Sequence, residues 1–221
     1  MVTTPAHQYP TGAVLSAARR SRLLDWAARH DALVVEDDYD AEFRYDRSPI
    51  GAMQGLDPDR VIYAGTASKT LAPGLRLGWL AVPQRLSRLV ARAKLAADYG
   101  SGALDQLTLA DFVERGELDR HLRRMRKAYQ RRRDAVLAGL ARQLPTLVPM
   151  GASAGLHVLA QLPDDVDEDA LVRAAAAAGV GLTGATESYS EAASPGLVLG
   201  YATIREHEVD PVLERVKTCL S

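Results

Sequence analysis

Lys69 is the residue whose type and surroundings most clearly suggest covalent chemistry in this chain. It is one of four lysines among 221 residues, and it follows the mostly apolar residues 61–65. Hydroxyl residues surround it in Thr66-Ala67-Ser68-Lys69-Thr70, and Arg76 follows. A lysine amine can form an imine with an aldehyde, whereas a guanidinium stays protonated and is a poor nucleophile. A lone lysine in such a loop is more often only solvated, so the chemical interpretation needs a second group of residues.

A second segment becomes acidic where the sequence predicts the end of a strand. The apolar residues 33–35 lead into Glu36-Asp37-Asp38-Tyr39-Asp40. In open parallel α/β sheets, ligand groups gather beyond the carboxyl ends of the strands. Asp37 and Tyr39 follow one predicted strand and Lys69 follows the next, so we expect all three at one crevice. The alternative is an acidic loop that caps a turn, which explains the charges but not the pairing with Lys69.

This combination of side chains fits pyridoxal 5'-phosphate. The Asp37 carboxylate can hold the proton on the pyridine nitrogen, and the Tyr39 phenol can donate a hydrogen bond to the ring's 3-oxygen. Arg76 can bind the phosphate through two parallel hydrogen bonds, and the hydroxyls of Thr66 and Ser68 can add to them. The sequence therefore predicts a cofactor site at which the lysine bonds to the cofactor aldehyde.

Three motifs resemble those of fold-type I aminotransferases. They are SKTLAPGLRLG (residues 68–78), HQYPTG (residues 7–12) and EDDYDAEF (residues 36–43). More narrowly, the last two together are similar to the aminotransferase-like domain of MocR/GabR-type transcription regulators of the GntR superfamily. The resemblance implies an α/β fold, namely the C-terminal part of a fold-type I transferase with a mostly parallel sheet flanked by helices, plus a small α+β C-terminal domain.

The resemblance also implies roles for particular residues. Lys69 becomes the catalytic lysine, Asp37 the partner of the pyridine nitrogen and Tyr39 the contact of the 3-oxygen. Arg76, with the hydroxyl of Thr66 or Ser68, would bind the phosphate. The remaining implied cofactor contact is Tyr9, at a position where aminotransferases usually carry an asparagine.

The sequence departs from the aminotransferase pattern in ways that favour a regulator. Loss of the asparagine at Tyr9 is usual in the regulator branch. Thr203 stands where many relatives place an arginine for the substrate carboxylate, and Arg205 could compensate two residues on. The motifs expected upstream, a glycine-rich helix start, a stacking aromatic and a winged helix-turn-helix, are not recognisable. We therefore expect the C-terminal part of a longer protein or a truncated reading frame.

Three functions remain open from the sequence. The first is a sensor domain that binds the cofactor and an amino-acid-like small molecule, in a homodimer that meets DNA only through a domain missing from this chain. The second is an aminotransferase, in which Lys69 also moves a proton. The third is a remnant with weak or no cofactor binding. The lysine motif cannot separate the first two, because both use the same covalent bond.

Composition and patterning set further limits. The formal charge of −1 gives no general attraction to nucleic acid or membrane, and the single Cys219 fits a reducing compartment, so we expect a cytoplasmic protein. No apolar run could span a bilayer, and the histidines show no metal-ligand spacing, so neither membrane nor metal is expected. We expect a partial cofactor domain over residues 1–115, a long, basic linking helix over 116–143 and a small domain over 144–221.

Overall fold

The chain forms two compact units in a computed structural model that describes residues 1–45, 51–151, 153–189 and 193–220. The first unit comprises Met1–Gln8, Val14–Glu42 and Arg47–Arg124, and the second comprises Tyr9–Ala13, Phe43–Asp46 and Met125–Ser221. The division at residues 115 and 143 stays a prediction. None of the helices in the described ranges has the length and apolar character needed to cross a membrane.

The first unit contains a sheet whose described strands lie in chain order. They are β1 (Val2–Thr3), β2 (Val34–Asp38), β3 (Val61–Thr66) and β4 (Gly78–Ala81). The first three strands are parallel, which confirms the expected mostly parallel sheet, and β4 is antiparallel to β3. Residues 67–77 are too short a connection for the usual parallel crossover, which takes a dozen residues or more.

Four of the described helices accompany the strands in this part of the chain. They are α1 (Ala17–Arg29), α2 (Ser87–Asp98), α3 (Ala103–Glu114) and α4 (Glu117–Gln143), of which α4 continues into the second unit. Ser16 caps the start of α1, because its hydroxyl accepts a hydrogen bond from the Arg19 amide at 3.3 Å. Ala27 of this helix is fully buried with Val34 and Val61 of the sheet. This apolar cluster fixes β2 and β3 against α1.

Glu36 fixes the orientation of β2. Its carboxylate is buried and accepts hydrogen bonds from the amides of Met53 and Gln54, each at 3.0 Å. Those amides begin a short 3-10 helix, Met53–Gly55, whose first N–H groups lack partners within the helix. Because side chains alternate along a strand, burial of Glu36 turns Asp37 to the opposite face.

The second unit is an antiparallel sheet covered by helices. Its described strands are β5 (Val148–Met150), β6 (His157–Gln161), β7 (Thr183–Gly184) and β8 (Gly196–Gly200), in the order β5-β6-β8-β7. The helices α5 (Glu168–Ala177) and α6 (Val209–Leu220) share a core with the second half of α4. This is the small α+β arrangement expected from the sequence.

Glu168 ties α5 to the sheet of the second unit. Its carboxylate accepts hydrogen bonds from the Thr186 hydroxyl at 2.6 Å, the Thr186 amide at 3.1 Å and the Gly196 amide at 2.7 Å. Burial opposes ionisation, but the hydrogen bonds from Thr186 and Gly196 outweigh it and hold the Glu168 pKa below its ordinary value. The ionised form is therefore the one that the fold stabilises.

Glu168→Gln is expected to lower the free energy of unfolding at pH 7 by about 1.5–3 kcal/mol, since it removes hydrogen bonds to a charged group. A carboxyl group with a lowered pKa stabilises the fold above its ordinary pKa, and this contribution disappears as the pH falls through its folded-state value. The difference from wild type should therefore shrink in acid. Urea unfolding at pH 7 and at about pH 4 measures it.

The exposed Glu187 supplies the control for this comparison. Glu187→Gln should change the stability by less than about 0.5 kcal/mol at either pH. A loss for Glu168→Gln that is equal at both pH values would contradict the role given to the Glu168 charge.

Candidate cofactor site

A cavity of about 320 Å³ opens at the edge of the first sheet where β2 and β3 end and β4 begins. It is lined by Asp37, Ala64, Gly65, Thr66, Ser68, Arg76, Leu77 and Gly78. Four of the residues predicted from the sequence therefore meet here: the carboxylate, the two hydroxyls and the guanidinium. Lys69 and Tyr39 lie outside the lining of this cavity.

Close backbone approach shapes the cavity wall. Gly65 and Gly78 lie on the adjacent strands β3 and β4, where Gly65 pairs with Trp79 and Thr66 with Gly78. A Cβ atom added at Gly78 would come within 2.9 Å of the Gly65 carbonyl oxygen, and one added at Gly65 would collide with the Trp79 indole. A side chain at Gly78 would therefore require a shift of the backbone, and one at Gly65 would require the Trp79 indole to move.

The loop that carries the lysine is closed by its own backbone. The Ala67 amide donates to the Leu77 carbonyl at 2.9 Å, which joins the two ends of the loop. Within it, the Leu71 amide donates to the Ala67 carbonyl at 2.9 Å, so Lys69 lies on a single helical turn. Arg76 adopts a left-handed backbone conformation with φ of 51°, which turns the chain back toward β4.

His121 of α4 holds the residue next to the lysine. Its Nε2 lies 2.8 Å from the carbonyl oxygen of Thr70, and its Nδ1 lies 3.3 Å from Nη2 of Arg124. A carbonyl only accepts and a guanidinium only donates, so Nε2 carries the proton. Thr70 is buried whereas the Lys69 side chain is exposed. The loop is thus anchored one residue beyond an amine that stays accessible.

Asp37 faces the cavity with its negative charge weakly compensated. Its partial burial, and then the charge of Asp40, raise its pKa above the ordinary value. The neighbouring Asp38 also has a raised pKa, mainly through burial, although it accepts hydrogen bonds from the Tyr63 hydroxyl at 2.9 Å and the Ala41 amide at 3.1 Å. A cationic group placed against Asp37 would relieve this unfavourable ionisation.

Sequence reasoning missed a buried pair beside Tyr39. Nδ1 of His7 lies 2.8 Å from Oδ2 of Asp40, and each side chain is 2% exposed. The Tyr39 hydroxyl lies 3.4 Å from the same His7 nitrogen. The motifs did contain a signal for this contact, since His7 follows β1 as Asp40 follows β2. However, β1 has only two residues, so its register against β2 could not be predicted from the sequence.

Three predicted site residues belong to the second unit. Tyr9 is 42% exposed, and its ring centroid lies 5.1 Å from that of His157 in an edge-on arrangement. Thr203 and Arg205 are exposed, and the Arg205 amide donates to the Glu208 carboxylate at 2.9 Å. The roles predicted for these three residues remain predictions.

The fold and the cavity agree with a family assignment. The model of the family "Aminotransferase class I and II" matches residues 1–216. The chain therefore belongs to the aminotransferase class I and II family.

Two of the similar proteins are transcription regulators. The HTH-type transcriptional regulator YhdI of Bacillus subtilis (strain 168) is 39% identical over 221 residues, which make up 99% of this chain and 47% of YhdI. The probable rhizopine catabolism regulatory protein MocR of Rhizobium meliloti is 38% identical over 204 residues, 91% of this chain and 41% of MocR. The resemblance to MocR-type regulators is thereby confirmed, and the chain spans less than half the length of both proteins.

Solved structures show the same fold. The Pyrococcus horikoshii kynurenine aminotransferase, crystallised in complex with PMP, superposes with a TM-score of 0.91 at 30% identity, over 99% of this chain and 55% of that one. PMP is the amine form of pyridoxal phosphate. The expected fold-type I architecture is therefore confirmed, and pyridoxal phosphate is confirmed as the cofactor that the family points to.

His121→Ala should loosen the lysine loop, because the buried Thr70 carbonyl would lose its donor. A cost of about 1–2 kcal/mol predicts roughly tenfold faster hydrogen exchange at the amides of Ala67 and Leu71. Hydrogen–deuterium exchange with peptide resolution measures this. His121→Gln, which keeps a side-chain N–H, should show a smaller effect, and unchanged exchange in His121→Ala would contradict the anchoring role.

Proposed function

We propose that this chain binds pyridoxal 5'-phosphate at the cavity of the first unit and forms the effector-sensing part of a MocR-type transcription regulator. One observation carries the proposal: a carboxylate, two hydroxyls and a guanidinium line a single cavity at the foot of the loop that holds Lys69. This donor set matches the two ends of the cofactor, a basic ring nitrogen and a dianionic phosphate. The 39% identity to YhdI supports the regulator function.

Each residue of the set has a distinct part in this proposal. Arg76 binds the phosphate through its planar fork of N–H groups, with Thr66 and Ser68 as further hydroxyl donors. Asp37 holds a proton at the ring nitrogen, and this contact also stabilises its own carboxylate. Lys69 supplies the amine that bonds to the aldehyde. When bound, the cofactor provides the electron-poor ring that withdraws electron density from an attached amino compound.

The identity of the signal follows from the same chemistry. An amine that competes with Lys69 for the aldehyde is an amino-acid-like small molecule, and we propose such a molecule as the effector. Thr203 and Arg205 are the candidates for contacting it, and Tyr9 is a candidate contact of the cofactor. We further propose a homodimer that reaches DNA through a domain outside this chain, and a place in the cytoplasm.

A working aminotransferase is the second candidate function. It is favoured by the presence of Lys69, Asp37, Tyr39 and Arg76 together and by the structural similarity to a kynurenine aminotransferase. In that case Lys69, released from the cofactor, would carry a proton between the substrate and the cofactor. Thr203 at the place of the expected substrate-binding arginine weighs against it.

Mixing the chain with pyridoxal phosphate should produce a visible absorption band that Lys69→Ala abolishes, because the bond to the aldehyde needs the amine. Lys94→Ala is the matched control and should leave the band in place, since Lys94 is exposed and paired with Asp98. A band of equal intensity in Lys69→Ala would contradict the assignment. No band in the wild-type chain would favour a remnant that has lost the cofactor.

Arg76→Ala should weaken the affinity for pyridoxal phosphate at least tenfold and leave the affinity for pyridoxal nearly unchanged. The reason is that charge-assisted hydrogen bonds to a phosphate are worth about 1.5–3 kcal/mol, and pyridoxal has no phosphate. Titration of the visible band with both compounds measures the ratio. Arg88→Ala, at an exposed position of α2, is the control. Equal losses for the two compounds would indicate a structural role for Arg76.

Amino acids should shift the spectrum of the chain loaded with pyridoxal phosphate without sustained turnover when a keto acid is added. A sensor needs only the exchange of Lys69 for the effector amine, whereas an aminotransferase must regenerate its cofactor in every cycle. Keto-acid consumption over many equivalents of protein measures the difference. Robust multiple turnover would favour the enzyme.

A further inference from the structure

We propose that His7 and Asp40 form a positioning pair that directs the Tyr39 hydroxyl proton toward the 3-oxygen of the bound cofactor. The inference rests on the proposed function, because Tyr39 meets that oxygen only if the cofactor binds beside Asp37. It gives a role to His7 and Asp40, two buried polar residues that do not line the cofactor cavity. His7 and Asp40 act here through Tyr39.

Sheet register brings the pair together. Thr3 of β1 lies opposite Glu36 of β2, and the two strands are parallel. His7 is four residues beyond Thr3, and Asp40 is four residues beyond Glu36, so both leave the sheet at the same edge. Their contact at 2.8 Å continues the pairing of the strands beyond the sheet, and Tyr39 precedes Asp40 directly.

The proton of the pair lies on Nδ1 of His7. An ionised carboxylate only accepts hydrogen bonds, so the 2.8 Å contact requires the donor to be His7. Burial to 2% exposure on both sides makes an unpaired charge costly and keeps the pair closed. The position of the N–H is therefore fixed by the carboxylate.

This N–H constrains the phenol. The Tyr39 oxygen lies 3.4 Å from the same nitrogen, and the ring centroids lie 6.3 Å apart. An oxygen that faces an N–H can only accept from it, so the hydroxyl must turn its own proton elsewhere. A donor directed away from His7 is what an anionic ring oxygen requires.

The charges around the pair decide which variant is informative. Asp37 and Asp38 both face the field of Asp40, which raises their pKa values after the larger effect of burial. Asp40→Asn would therefore alter Asp37, the proposed partner of the ring nitrogen, as well as Tyr39. Substitution of His7 leaves the number of carboxylates unchanged and is the better test.

The experiment is a pH titration of the visible band formed by the 221-residue chain with pyridoxal phosphate. Loss of a hydrogen bond to the 3-oxygen leaves that oxygen a stronger acceptor for a neighbouring proton, so Tyr39→Phe should raise the midpoint by about one unit. His7→Leu should raise it in the same direction. His7→Asn, which can place an amide N–H near the position of Nδ1, should restore most of the wild-type value.

The double variant separates positioning from general support of the fold. If His7 acts through the Tyr39 hydroxyl, His7→Leu should add nothing to the midpoint of Tyr39→Phe. An equal further shift in the Tyr39→Phe background, or no shift in His7→Leu alone, would overturn the proposal. His207→Leu, at an exposed histidine of the second unit, is the control and should leave the midpoint unchanged.

A measurement on the wild-type chain guards against a His7→Leu variant that does not fold. Nitrogen-15 NMR of the imidazole should show Nδ1 of His7 protonated, and a bare Nδ1 would overturn the proposal. The proposed function has its own test: if no visible band depends on Lys69, the proposed function is wrong whatever the state of His7. A band that depends on Lys69, with a midpoint that His7→Leu does not change, would leave the cofactor site standing and remove only the positioning pair.

Discussion

The parallel register of β1, β2 and β3 is the constraint on which the first unit depends. It places Thr3 opposite Glu36 and Asp37 opposite Ala64, so three chain segments leave the sheet at one edge. This register brings the residues beyond the three strand ends close to one another. A slip of one residue in β2 would turn Asp37 into the core and Glu36 toward the cavity. It would disrupt both the cofactor cavity and the His7–Asp40 pair.

The acidic segment after β2 uses neighbouring carboxylates for different purposes. Glu36 is buried and satisfied by two backbone amides, so it acts as part of the scaffold. Among the residues that the structure describes, Asp37 has no comparable set of donors, and its raised pKa suits a group that awaits a cation. Asp40 pairs with His7. Glu36, Asp37 and Asp40 are chemically similar. Their different roles therefore follow from the alternation of side chains along the strand and from the hydrogen-bond donors that each carboxylate meets.

Much of this could be predicted from the sequence because the information is local. Apolar runs gave β2 and β3, and polar residues directly after them gave Asp37, Thr66, Ser68 and Arg76, which the structure brings to one cavity. The direction of β4 depends on loop length, and the two-residue strands β1 and β7 are too short to show a pattern. The contact of His121 with Thr70 joins residues 51 apart and leaves no periodic trace.

The central claim is that Lys69, among the four lysines of the chain, is the residue that bonds to pyridoxal phosphate. Its most direct test is reduction of the protein–cofactor mixture with borohydride, followed by peptide mapping by mass spectrometry. We expect a single phosphopyridoxyl group on the peptide that contains Lys69, at one per chain. A label spread over Lys94, Lys127 and Lys217, or absent from Lys69, would contradict it.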